Sequence, residues 1–166
     1  VIGPAHKSDL GGVLLGLRDD PAVLAGFDRL MRIAGATGVL VEAMADTAGT
    51  VELIAGVSWD ASFGPVLTVG MGGVLAEILN DVAHALAPAD AARVTRMLGH
   101  LRGRALLDGP RGQRPVDIPA CAAAIAALSR LAAARPDLAT IEVNPFLAGP
   151  EGTVALDALI LRREER

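Results

Sequence analysis

The stretch Ile141-Glu142-Val143-Asn144-Pro145-Phe146-Leu147-Ala148-Gly149-Pro150-Glu151-Gly152-Thr153-Val154-Ala155-Leu156-Asp157 decides how this chain reads. In an extended segment, residues two apart share a face, so Glu142 and Asn144 point the same way. Gly149-Pro150-Glu151-Gly152 is turn chemistry. A turn centred on Pro150-Glu151 sets Asn144 opposite Asp157, and directly opposed side chains sit about 5 Å apart. The spacing therefore predicts a carboxylate, an amide and a second carboxylate on one side of a hairpin. Such a set is half of a Mg²⁺ site, because Mg²⁺ prefers oxygen and completes its shell with water and phosphate. The competing reading is a polar hairpin face wetted by solvent.

Working outward, Asp117 caps an alanine-rich helix that ends near Arg135-Pro136, and the hairpin pairs Leu138–Asn144 with Thr153–Leu161. Ala89–Leu101 reads as a helix, with Asp90 in its first turn and Arg93 and Arg96 on its polar face. A loop rich in arginine and glycine, 102–114, follows it. Further upstream, Val51–Ser58 and Pro65–Val69 have strand character, rich in β-branched residues. Gly70-Met71-Gly72-Gly73 is a flexible loop, and Val74–Leu86 fits either a helix or an extended segment. Asp19-Asp20-Pro21 opens a helix through an acidic cap and a first-turn proline. Gly12–Leu17 and Val39–Met44 read as short strands, and Leu161–Arg166 as a solvated tail. Strands alternating with helices place the chain in the α/β or α+β class.

Composition narrows the function. The 166 residues are 52% apolar, yet no uninterrupted apolar run reaches the roughly 18 residues of a membrane span. Net charge is −4 and aromatic residues are 2%, so neither the phosphate-binding charge nor the stacking platforms of a nucleic-acid binder are present. A single cysteine, Cys121, excludes an internal disulfide and reads as a small core residue. These features fit a cytoplasmic setting. Val1-Ile2-Gly3-Pro4 is not a charged leader, and Val1 enters an element already under way, which reads as a piece of something larger.

Several other strings carry chemistry. His6-Lys7-Ser8-Asp9-Leu10-Gly11-Gly12 sets a base, a cation, a hydroxyl and a carboxylate beside paired glycines. Glycine lets backbone N–H groups approach an anion, and Lys7 adds a point charge. An ordinary polar turn is the alternative. The order is not that of a P-loop. Glu77 and Asp81 read as solvent-facing carboxylates, and His84 and His100 as side chains without a visible partner. Trp59 reads as a packing residue. Arg111, in Asp108-Gly109-Pro110-Arg111-Gly112, is placed to grip a phosphate or carboxylate bidentately, or is a surface arginine. Neither zinc-ligand spacing nor a G-x-S-x-G elbow is present.

The order of these strings is more specific than any one of them. HKSDLGGV, VELIAGVSWDASFGPVL, GMGGVLAEILNDVAHALAP, LLDGPRG, VDIPA, EVNPF and ALDA follow one another over nearly the whole chain. This closely resembles the carboxy-terminal ATP-grasp region of NDP-forming acyl-CoA synthetases, a family that includes ADP-forming acetate–CoA ligases and is related to the succinyl-CoA synthetase β subunit. The resemblance implies an incomplete ATP-grasp fold with a mixed or antiparallel sheet and flanking helices. It implies a remnant of the lid subdomain over 1–41, the carboxy-terminal subdomain over 42–162, and a tail.

The implied reaction converts acid, CoA and ATP to acyl-CoA, ADP and phosphate through a phosphohistidine and an acyl phosphate. The implied cofactors are ATP and Mg²⁺. By the match, His6 aligns with a phosphate-relay histidine, and Lys7, Gly11 and Gly12 belong to a phosphate-covering loop. Glu42, Ala43 and Met44 form the nucleotide hinge, Glu52 is the acidic position on the next strand, and Arg111 reaches phosphate. Asn144 and Asp157 match the Mg²⁺ ligands, with Glu142 supporting them. Where the family shows Asp-Ile-Asn-Pro, this chain has Glu142-Val143-Asn144-Pro145. The family's ATP-binding lysine would stand just before the first residue, so the segment is expected to be silent alone. The implied partners are CoA-binding and ligase domains on the same chain or another subunit, small acids and CoA, with oligomers allowed. The same region also occurs in proteins fused to a lysine acetyltransferase, where a non-catalytic regulatory module is the alternative. A carboxylate–amine ligase of the same fold is a third reading, against which the HKSD string argues.

Overall fold

Asp19, Asp90 and Asp117 each begin a helix. Their carboxylates accept hydrogen bonds from the backbone N–H of Ala22 at 2.8 Å, Arg93 at 2.7 Å and Ala120 at 2.9 Å. Each bond satisfies one of the donors that the first helical turn leaves unpaired, so the local signal fixes the start. The α-helices among the described residues are α1 (Asp20–Leu30), α2 (Ala91–His100) and α3 (Ile118–Ala133), and prolines stand in the first turns of α1 and α3. Asp90 is thus the cap of α2 rather than a member of its first turn. The computed structural model describes residues 1–3, 10–73 and 80–163. They fall into two compact units, Val1–Asp46 and Thr47–Arg166. No helix among the described residues is long and apolar enough to cross a membrane.

Among its described residues the first unit holds α1 and an isolated bridge between Ile2 and Gly38, in which Ile2 N–H donates to the Gly38 carbonyl at 2.8 Å. Gly26 on α1 is crossed closely: a Cβ there would lie 3.2 Å from the Leu14 and Leu17 side chains. The two strands expected here, Gly12–Leu17 and Val39–Met44, do not form. Leu15, Leu40 and Val41 are exposed, so these β-like sequences lack both a ladder partner and a covered face among the described residues.

Among its described residues the second unit holds a six-stranded sheet built from β1 (Val51–Asp60), β2 (Gly64–Met71), β3 (Val82–Leu86), β4 (Leu138–Gly149), β5 (Gly152–Ala155) and β6 (Ala158–Arg162). Its order is β3-β2-β1-β4-β5, with β6 also on β4, and every pairing is antiparallel. Leu53, Ala55 and Val57 of β1 pair with Met71, Val69 and Leu67 of β2, and these six are buried. They form one core with Val94, Met97 and Leu98 of α2 and with Cys121, Ile125 and Ala126 of α3. The opposite face of the sheet carries Glu52, Ile54 and Gly56.

Three expectations change in this unit. Gly70 and Met71 continue β2 instead of starting a loop, and only the end of 74–86 is described, as β3. The tail reading stops short, because β6 extends to Arg162 and the Arg163 guanidinium stacks 3.4 Å from the Trp59 ring centroid. Trp59 is 40% exposed, so this stack rather than core packing holds it. Cys121, by contrast, is a core residue as read.

Candidate functional site

The hairpin has the register that its turn predicts. Gly149 pairs with Gly152 and Phe146 with Ala155, and beyond the break Val143 pairs with Ala158. Asn144 therefore lies opposite Asp157, and its N–H donates to the Asp157 carbonyl at 3.1 Å. Leu156 N–H donates to the Pro145 carbonyl at 3.0 Å, which carries the pairing across the gap between β5 and β6. The single long strand expected on this side is split at Leu156-Asp157, and the expected first strand runs on from Asn144 to Gly149.

A bulge aims the site. Ala55 pairs with Val143, but Leu53 pairs with Phe146, so Asn144 and Pro145 together oppose Ile54. A bulge tolerates proline because the ladder there does not need its missing N–H. It also bends the strand at Asn144 while keeping Phe146 on the helix-covered face. Glu142 pairs with Gly56, on the open face. A Cβ at Gly56 would lie 3.1 Å from the Ile141 carbonyl oxygen and 3.4 Å from Glu142 Cα, so glycine leaves room for the two backbones to close. Asn144 Nδ2 donates to Glu142 Oε1 at 3.4 Å, which leaves the amide oxygen directed elsewhere. Asp157 Oδ1 accepts from Ala158 N–H at 2.9 Å. Asn144 and Asp157 are exposed and Glu142 is half-buried.

This donor set fits Mg²⁺ chemically, since it offers carboxylate and amide oxygens and no soft ligand. Among the described residues no group of three or more His, Cys, Asp or Glu side chains is arranged to hold a metal. A cation here requires oxygens from another molecule.

Glu52 joins the same face from β1. Gly72 N–H donates to its carbonyl at 2.8 Å, and a Cβ at Gly73 would lie 2.5 Å from Glu52 Oε2. Gly73 also has φ +61°, a conformation that favours glycine. The Glu52 carboxylate thus rests where Gly73 lacks a side chain.

The other candidates stand apart. Arg111 is exposed in a short 3₁₀ turn, Pro110–Gly112, with φ 58° and ψ 33°, an uncommon left-handed conformation for arginine. The adjoining Arg114 is ion-paired with Glu151 in the hairpin turn. No described contact joins Arg111 to Glu142 or Asn144. In the first unit, Gly11 has φ +65° and Gly12 is buried, its carbonyl accepting from the Val1 ammonium at 2.7 Å. Glu42, Ala43 and Met44 are exposed and outside any strand. His6, Lys7 and Glu77 lie outside the described residues.

Asp81 overturns its expected solvent-facing role. It is 4% exposed, and its carboxylate accepts from Arg102 N–H at 2.9 Å and from Gly103 N–H at 2.7 Å. Met71 N–H donates to its carbonyl at 3.0 Å. Asp81 therefore ties the end of β2 and the start of β3 to the turn after α2. The histidines have partners too: His84 Nδ1 meets Thr68 Oγ1 at 2.9 Å, and His100 Nδ1 meets the Arg96 carbonyl at 2.6 Å.

Residues 4–161 match a family model described as an ATP-grasp domain. A trans-feruloyl-CoA synthase of an unknown prokaryotic organism is 41% identical over 94% of this chain and 23% of its own length. The ADP-forming acetate–CoA ligase I subunit beta of Pyrococcus furiosus is 32% identical over 94% of this chain and 69% of that subunit. The chain thus spans about a quarter of the first relative and over two thirds of the second. Among solved structures, a dinucleotide-forming acetyl-coenzyme A synthetase 1 of Ca. Korarchaeum cryptofilum superposes with TM-score 0.88 at 33% identity, covering 95% of this chain and 71% of that one. That structure contains coenzyme A and Ca-AMPCP. A second structure of the same synthetase contains coenzyme A and Mg-AMPPCP, with a phosphohistidine segment pointing towards the nucleotide site; its TM-score is 0.82 at 32% identity, over 98% of this chain and 74% of that one.

Proposed function

The chain belongs to the ATP-grasp domain family, and on that premise we propose that it is the nucleotide-binding part of an NDP-forming acyl-CoA synthetase. The observation that carries this reading is Asn144 opposed to Asp157 beside Glu142, on the open face of a sheet whose relatives are CoA ligases. Mg²⁺ held by Asn144 and Asp157, with Glu142 in support, would supply positive charge against nucleotide phosphates. Phosphoryl transfer depends on positioning and on cations set against developing charge.

The chain's own residues do the rest. Glu42, Ala43 and Met44 line the base. Gly11 and Gly12 bring N–H groups to the phosphates, and Lys7 and Arg111 add charge there. Glu52, held against Gly73, completes the acidic side. His6 takes the γ-phosphoryl group on a ring nitrogen and passes it toward the acid, dividing one hard transfer into two easier ones. CoA and the acid then bind on further domains or a partner subunit, so this segment does not turn over by itself. The setting is the cytoplasm.

The test is CoA- and acid-dependent phosphate release by the full-length protein. Acid-labile label from γ-³²P-ATP is expected in the wild type and lost in His6→Ala. Unchanged labelling and turnover in that variant would remove His6 from the relay. ATP consumption independent of both CoA and acid would remove the synthetase assignment.

A further inference from the structure

At the far end of the sheet from Glu142 and Asp157 lies a groove of about 270 Å³ between β3 and α2. It is lined by Ala83, His84, Arg93, Arg96, Met97 and His100. Two whole strands, β2 and β1, separate it from β4, which is about 14 Å at the usual strand spacing. We propose that this groove binds a phosphate-class dianion on a small molecule, at a site separate from the hairpin cluster.

Arg93 and Arg96 stand three apart on a helix and so share a face, with Cβ atoms about 5–6 Å apart. Neither guanidinium has an ion-pair partner among the described residues, where the salt bridges use Arg104, Arg114 and Arg135. Asp90, one turn earlier, is engaged in capping the helix through Arg93 N–H. The chain as a whole carries −4, so this concentration of positive charge runs against its average.

The two imidazoles are held by their Nδ1 atoms. A carbonyl only accepts, so the 2.6 Å contact to Arg96 makes His100 Nδ1 the donor and leaves Nε2 for another partner. His84 Nδ1 meets the Thr68 hydroxyl at 2.9 Å, and Thr68 pairs with Gly56, so this imidazole stands on the open face and His84 borders the groove from the edge strand. Arg93, Arg96 and His100 line the groove from one face of α2. Guanidinium matches phosphate oxygens bidentately, so the geometry selects a compact oxyanion with several acceptors. Met97 supplies an apolar floor for the remainder of such a molecule.

The test is calorimetric titration of the full-length protein with inorganic pyrophosphate, in EDTA and at constant ionic strength. Saturable binding is expected in the wild type. Arg93→Gln with Arg96→Gln should weaken it roughly tenfold to a hundredfold, the loss expected when charge-assisted hydrogen bonds are removed. Arg93→Lys with Arg96→Lys, which keeps the charge and loses the fork, should fall between. Both positions are exposed, and unchanged thermal unfolding of the variants establishes that the fold survives. Absence of saturable binding in the wild type, or binding that survives the double glutamine change, would overturn the proposal. Sedimentation with phosphatidic acid vesicles distinguishes a lipid headgroup from a free anion. No co-sedimentation is expected, and co-sedimentation lost in the glutamine variant would overturn the small-molecule assignment. None of these outcomes depends on whether the synthetase reading is right.

Discussion

Asp81→Asn is the sharpest structural perturbation this fold offers. The native carboxylate faces two backbone donors, Arg102 N–H at 2.9 Å and Gly103 N–H at 2.7 Å, and the residue is 4% exposed. An asparagine keeps one oxygen for one donor and turns an NH₂ group toward the other. One hydrogen bond to a charged acceptor is lost, worth about 1.5–3 kcal/mol, and one buried N–H is left unmatched, so the change costs about 2–4 kcal/mol. For a chain of this size each kcal/mol shifts Tm by about 2–4 °C, which puts the expected fall at roughly 4–16 °C. Asp137→Asn is the control: its carboxylate pairs with Arg135 at the surface, 48% exposed, and such pairs contribute about 0–1 kcal/mol. Thermal unfolding by circular dichroism, checked by urea titration with unchanged m, reads both. A Tm fall below 2 °C in Asp81→Asn, or equal falls in the two variants, would refute the claim that this carboxylate ties β2 and β3 to the turn after α2.

Two further outcomes are expected. Gly73→Ala and Gly49→Ala both place alanine at positive φ, near +61° and +69°, and each should lose about 1–3 kcal/mol of stability. Only Gly73→Ala also pushes on Glu52 Oε2, so it alone should weaken ATP binding, matching Glu52→Gln; equal ATP affinity in the two alanine variants would detach Glu52 from the nucleotide. Cys121 is fully buried, and burial, with Asp117 adding to it, pushes its thiol up to about 12, so it stays protonated at neutral pH. Ellman's reagent should react slowly with the native protein and fast after denaturation, and stability should fall as pH rises above the ordinary thiol range, where only the unfolded chain releases that proton. A fast native reaction would show that the α3 side of the core opens.

What was legible in the sequence follows the range of the interactions involved. The helix starts at Asp19 and Asp117 rest on bonds to N–H groups three residues on, and a short window contains them; Asp90 caps its helix in the same way, although the sequence placed it inside the first turn. The hairpin register was readable because Gly149-Pro150-Glu151-Gly152 fixes the turn and pairing counts back from it to Asn144 and Asp157. The two failed strands, Gly12–Leu17 and Val39–Met44, have β-like residues, but a strand needs a neighbour, and composition does not provide one. Asp81 was misread for the same reason, since its partners stand 21 and 22 residues away and are backbone groups without a sequence signature. The Arg163–Trp59 stack and the groove between β3 and α2 likewise depend on which elements become neighbours. Pro145 did hint at the bulge, as an interior strand proline argues for an irregular ladder.

The central claim is that Glu142, Asn144 and Asp157 hold Mg²⁺ together with nucleotide phosphate. Three side chains cannot fill an octahedral shell, and Mg²⁺ gives up water reluctantly, so the metal should bind when ATP completes the shell. Calorimetric titration of the full-length protein with Mg²⁺, with and without ATP, measures this directly. The account predicts Mg²⁺ binding only with ATP present, and Mg-ATP affinity reduced roughly tenfold or more in Asp157→Ala. Tight Mg²⁺ binding without nucleotide, or Mg-ATP affinity unchanged in Asp157→Ala, would contradict it.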